Sequence, residues 1–198
     1  MPYDVFVAMF VFAAVTAFTP GPNNIMVTAS GVNFGFARTI PHLAGILTGF
    51  MVMLVGCGAG LGALFTAYGP LQTALKIVGA AYMLWLAWKV ANARPVDDAP
   101  DSSARPLTFL QAAAFQWVNP KAWVIAISAI AIYVRPSHWL VDFAILLAVF
   151  ALFTILSTAT WTGFGVALRG LLRHPRHARI FNWIMAVLLV ASIAPMVI

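Results

Sequence analysis

Two short stretches of an otherwise apolar chain hold the residues able to do chemistry: Thr19-Pro20-Gly21-Pro22-Asn23-Asn24 and Gln116-Trp117-Val118-Asn119-Pro120-Lys121. Pro20 and Pro22 lack a backbone N–H, so carbonyls one turn earlier, around Thr16 and Phe18, are expected to lose their helical partners. Gly21 between them adds backbone freedom. In hydrocarbon such unsatisfied groups are costly, and a break of this kind survives only inside protein or beside a wet cavity. Freed carbonyls suit an ammonium group. A half-helix restarting at Pro22 turns its N–H groups and the positive end of its dipole toward an anion. One proline alone would read as a simple kink; two prolines, a glycine and two asparagines together read as a site. In the second stretch Asn119 suits an N-cap and Pro120 the first helical position. Lys121 is then the most membrane-embedded charge in the chain. Such a residue is a functional candidate, and equally a lysine snorkelling to the cytoplasmic interface. Two breaks of this chemistry match a zwitterion, with the carboxylate at a half-helix N-terminus and the ammonium on freed carbonyls and amide oxygens. The candidate substrate-binding or gating residues are therefore Thr19, Pro20, Gly21, Pro22, Asn23, Asn24, Gln116, Asn119, Pro120 and Lys121.

The elements that position them are membrane helices. Of 198 residues 63% are apolar and 8% charged, with a mean hydropathy of +0.95, whereas soluble domains carry about 25% charged residues. The solvent for most of the chain must be lipid. A net charge of +6 would suit nucleic acid, but the basic residues are scattered at the ends of apolar runs and read as anchors against anionic lipid. No nucleic-acid partner is expected. Six stretches are long enough to span a bilayer, at about 5–30, 39–64, 71–91, 107–134, 140–168 and 180–197. Their runs are continuous and lack the alternation of barrel strands. The expected fold is all-α, a single transmembrane domain over 1–198, with halves 1–91 and 107–198 joined by a polar linker at 92–106. Three helices per half would set a repeated half upside down. Ala17-Phe18 before the first break and Ala114-Phe115 before the second support two inverted three-helix repeats with broken helices one and four. The connections after helices one, three and five hold Arg38; Lys89, Arg94 and Arg105; and Arg169, Arg173, Arg176 and Arg179. Arg135 and Lys76 lie on the other side, so those three connections are expected to be cytoplasmic and both termini periplasmic. The N-terminus has no basic n-region before its first apolar run, so that run is expected to be a retained helix rather than a cleaved signal.

Other polar residues read more blandly. Cys57 is single and sits in an apolar run, which excludes an internal disulfide or dithiol carrier. His42 follows Pro41 at the start of helix two and reads as interfacial, with proton carriage as the second reading. Asp142 opens helix five and no acid lies mid-helix, so proton coupling has no obvious carrier. The glycines of helix two, Gly45 and Gly49 among them, suit close packing. They are as compatible with a homodimer as with contacts inside one chain. The hydroxyls of helix five, Thr154, Ser157, Thr158, Thr160 and Thr162, are expected to bond back to their own helix more than to line a path. A membrane enzyme would need a nucleophile with its base, or a metal cluster, and a metal exporter buried acids or a His tract; the four dispersed histidines supply none. No metal and no cofactor is expected. A passive channel or structural membrane subunit, or an exporter of a different small solute, remains the alternative, though paired mid-membrane breaks favour alternating access.

Thr19-Pro20-Gly21-Pro22-Asn23-Asn24, Gly79-Ala80-Ala81-Tyr82-Met83-Leu84-Trp85-Leu86-Ala87 and Gln116-Trp117-Val118-Asn119-Pro120-Lys121 resemble the lysine-exporter (LysE/RhtB) family, over nearly the whole chain in length, helix number and motif order. Residues 80–91 look most like its cysteine and O-acetylserine exporter branch. The resemblance implies a multi-pass protein of the bacterial inner membrane. It implies export of amino acids or small derivatives, driven by the proton-motive force. It also implies functional roles for Pro20, Gly21, Pro22, Asn23 and Asn24, and for Asn119, Pro120 and Lys121.

Overall fold

The computed structural model describes residues 1–92 and 105–191, and all of its regular structure is helical. Residues 93–104, most of the expected linker, and 192–198 lie outside the described residues. Helix α1 (Tyr3–Phe18) stops at the first proline, and α2 (Pro22–Gly56) starts at the second. A π-helical stretch, Cys57–Leu61, leads to α3 (Gly62–Ala67) and α4 (Gly69–Ala91). The second half holds α5 (Phe109–Val118), α6 (Pro120–Tyr133), α7 (Trp139–Leu168) and α8 (Pro175–Ala191).

Helix α2 is one element only by its hydrogen-bond ladder. Gly35 takes φ 78° and ψ 171°, a backbone state that L side chains avoid. The Ser30 and Thr39 hydroxyls lie 2.8 Å apart, although nine residues of straight helix would span about 13.5 Å. Ile46 likewise packs with Val27. The chain therefore folds back at Gly35: the first arm, 22–34, is the later part of the expected first membrane helix, and the second arm, 36–56, is most of the expected second. A single glycine replaces the eight-residue connection expected at 31–38.

Two continuous helical stretches are long and apolar enough to cross a bilayer by themselves, Pro22–Leu64, which contains the Gly35 reversal, and Pro136–Leu168. Tyr3–Phe18, Ile77–Ala91 and Pro120–Tyr133 are shorter apolar helices. The breaks explain this: they cut the expected first and fourth spans into pieces. Large apolar side chains on the outside, such as Leu110 at 75% exposure, Val124 at 65% and Leu140 at 76%, are what lipid rather than water accepts. The fold is thus an all-α polytopic membrane protein.

Helix α7 is the central post. The first arm of α2 crosses it at a seam where Gly31 faces the carbonyl of Thr162 and Gly165 that of Thr28. There is no room at either glycine for a Cβ, so backbones meet directly. The second arm packs on α5 in the same way, Gly45 against the Phe109 carbonyl and Gly49 against Ala113. Thr108 opens α5 with a full capping box: its hydroxyl accepts from the Gln111 N–H, and the Gln111 side chain accepts from the Thr108 N–H. Helices α4 and α8 pair with each other and rest on the first arm through Ile25, Met26, Met83, Phe115 and Leu189. At one end, buried Asp142 accepts from Arg135 Nε at 2.7 Å and Nη2 at 3.1 Å. The Met1 amino group lies 3.3 Å from the same carboxylate. Asp142 thereby ties the residue ahead of α1 to the α6–α7 connection from a buried position.

Candidate functional site

The two breaks meet. Asn23, at the second residue of α2, and Gln116, near the end of α5, exchange a reciprocal pair of hydrogen bonds. Asn23 Nδ2 donates to Gln116 Oε1 at 2.8 Å and Gln116 Nε2 donates to Asn23 Oδ1 at 3.0 Å. Gln116 Nε2 also reaches the carbonyl of Ala112 at 3.0 Å, and the whole side chain is buried.

Each break then satisfies its orphaned carbonyls with side chains. At the first, Asn24 Nδ2 donates to the carbonyls of Ala17 (2.8 Å) and Thr19 (3.0 Å). Ser157 of α7 donates to Ala17 at 2.7 Å, and Lys121 Nζ to Thr19 at 2.7 Å. The carbonyls that take side-chain donors are therefore those of Ala17 and Thr19. The reason is that α1 ends at Phe18, so the residues whose N–H groups would have served Ala17 and Thr19 already belong to the break and to α2. At the second break the Asn119 side chain accepts from the Lys121 N–H at 3.2 Å, as expected of an N-cap. The Trp117 carbonyl takes the Trp123 indole N–H at 2.9 Å. The start of α2 differs, since its N-cap, Gly21, has no side chain with which to cap the first turn.

The Lys121 ammonium reaches across the gap to the Thr19 carbonyl at 2.7 Å. Gly21 makes this possible, since a Cβ there would lie 3.0 Å from Lys121 Cδ and 3.1 Å from Nζ.

Between the breaks lies a cavity with about 70 Å³ open to water centres. One water needs roughly 10–15 Å³ on that measure, so the space fits a few waters or a small metabolite. Of the expected residues, Gly21, Pro22, Asn23, Asn24, Gln116, Asn119 and Lys121 line it. Thr19, Pro20 and Pro120 do not: Thr19 contributes its carbonyl while its hydroxyl returns to Val15 at 2.6 Å, and the two prolines end α1 and start α6. Lys121 supplies the cavity's sole charged side chain among the described residues.

Sequence reading missed the opposite wall. Thr154, Ser157 and Thr158 of α7 line the cavity, as do Phe50, Phe150, Ile46 and Ile125. The expectation for the hydroxyls holds for Thr158, Thr160 and Thr162, which bond back to carbonyls four residues earlier. Ser157 breaks it by crossing to α1. The signal was present: 154, 157 and 158 share one helical face. His42 is enclosed by protein, at 1% exposure, on the second arm that meets α5 directly at Gly45.

The chain is 34% identical over 188 residues to a protein of Salmonella typhimurium (strain LT2) named cysteine/O-acetylserine efflux protein, with 92% of each chain covered. Proteins of the same name from Klebsiella pneumoniae subsp. pneumoniae and Escherichia coli (strain K12) are 33% identical over 187 residues and 32% over 188, again with 92% of each chain covered. No solved structure matches the chain. The family described as LysE type translocator matches residues 14–194. The chain belongs to the LysE-type translocator family.

Proposed function

We propose that the chain exports amino acids or small amino-acid derivatives across the bacterial inner membrane, and that the cavity between the two breaks is its substrate site. The observation that carries this reading is the convergence of both breaks on one cavity whose charge is a single lysine reaching across the gap. A carboxylate is the natural partner for Lys121 Nζ and for the uncapped start of α2. The substrate's ammonium has the remaining lone pairs of the Asn23 and Gln116 amide oxygens, each of which already accepts one hydrogen bond from the other side chain. The size of the cavity favours small solutes. The names of the relatives point to cysteine and O-acetylserine as the first to try. The facing breaks also support reading the two halves as inverted repeats that rock about this site, with both termini periplasmic and the cycle energised by the proton-motive force.

The test is efflux from cells preloaded with labelled cysteine, O-acetylserine, threonine and lysine, with and without the chain and its Lys121→Gln variant. We expect saturable, accelerated loss of one or two of the four, cut at least tenfold in the variant. Equal loss with and without the protein, verified in the membrane, contradicts the amino-acid reading. Non-saturable loss would favour a channel.

A further inference from the structure

We propose that His42 is a proton-binding site whose protonation is coupled to the parting of the seam between the second arm of α2 and helices α5 and α7. The inference depends on the chain cycling as a translocator and not on which solute it carries.

His42 is fully enclosed, and neither Nδ1 nor Nε2 has a hydrogen-bond partner among the described residues. A buried polar ring left unpaired is costly and rare in a settled core. Imidazole is the side chain that ordinarily changes charge near neutral pH. Its place in the fold gives that property a use. Thr39, His42 and Ile46 fall on one face of the second arm, three and four residues apart, and each is at most 1% exposed. Ile46 lines the cavity, while Thr39 sits beside the fold-back and pairs with Ser30. His42 thus stands between the Gly35 end of the hairpin and the substrate cavity.

The seam beside it is a close backbone contact. Gly45 and Gly49 lie directly against the backbone of α5, so no side chain has to withdraw from a socket when the helices part. Among the described residues no acid waits there for an imidazolium. Helix α5 has no ionisable residue, and α7 has only Asp142, tied to Arg135 at its far start. The remaining charged or titratable groups on the neighbouring elements are Arg38 of α2, Arg105 before α5, and Arg169 after α7. To these α8 adds Arg176, His177 and Arg179, all exposed. Lys121 of α6 is engaged with Thr19. A proton taken up by His42 therefore calls for water, and water reaches the ring when the seam parts. Binding a proton and opening this end are two sides of one equilibrium.

The experiment measures the seam directly, with no amino acid present, so its outcome is independent of the efflux test. The full chain carries Cys57→Ser with Val52→Cys on the second arm and Leu110→Cys on α5, both positions exposed. It is spin-labelled and placed in phosphatidylcholine/phosphatidylglycerol nanodiscs, and the distance distribution is recorded by double electron–electron resonance from pH 8 to pH 5. We expect a longer-distance population that grows several-fold as pH falls and is lost in His42→Gln and His42→Asn chains. Variants that keep the parental distance at pH 8 are thereby shown to be folded. A distribution that ignores pH in the parent, or a pH response that survives both substitutions, overturns the proposal.

Discussion

The reciprocal amide pair is the smallest unit on which the site depends. Asn23 and Gln116 each donate to and accept from the other across the gap between α2 and α5. Removing Gln116 leaves both ends of the Asn23 amide unpaired, and removing Asn23 leaves the Gln116 oxygen without its donor while Nε2 keeps Ala112, at a cost of about 1–3 kcal/mol. Asn23→Ala and Gln116→Ala should each weaken substrate affinity about tenfold to a hundredfold by that estimate. The double variant should be little worse than either alone, since neighbours in one network are not additive. Counterflow in proteoliposomes measures this, and fully additive losses would show that the pair does not act as a unit. Asn24 has a different task. It bridges the Ala17 and Thr19 carbonyls and holds the first break open as a structure.

Helices meet here through glycine. At the crossing of α2 and α7, Gly31 and Gly165 press against the carbonyls of Thr162 and Thr28. A methyl group at either point must push two backbones apart, and overpacking typically costs about 1–3 kcal/mol. Gly165→Ala should therefore lower the thermal midpoint in detergent, while Gly163→Ala, where a Cβ meets nothing within 4 Å, should leave it unchanged. Equal midpoints for both variants would mean that the crossing is looser than the geometry implies. The breaks were legible in sequence because proline, glycine and asparagine have local physics that needs no partner. A reversal was expected between residues 31 and 38, but not that Gly35 alone would make it, since the sequence gives no sign of how tightly the chain turns. His42 shows the same limit. Its neighbours in sequence, Pro41 and the exposed Ile40, give no sign that protein encloses it. The wall formed by Thr154, Ser157 and Thr158 was visible as a polar face on α7, but the choice between self-bonding and lining a path is made by what lies opposite.

At the scale of the whole molecule the chain divides its labour. Helices α4 and α8 form a flanking pair. The hairpin α2, with α5 and α7, encloses the cavity between the ends of the two broken helices. The central claim is that this cavity receives the substrate. Its most direct test is equilibrium binding of labelled O-acetylserine and cysteine to the purified protein, beside Lys121→Gln and Asn23→Ala. Saturable binding by the parent, weakened at least tenfold in both variants, is the result expected. Variants that bind as tightly as the parent would contradict the claim and place the substrate elsewhere.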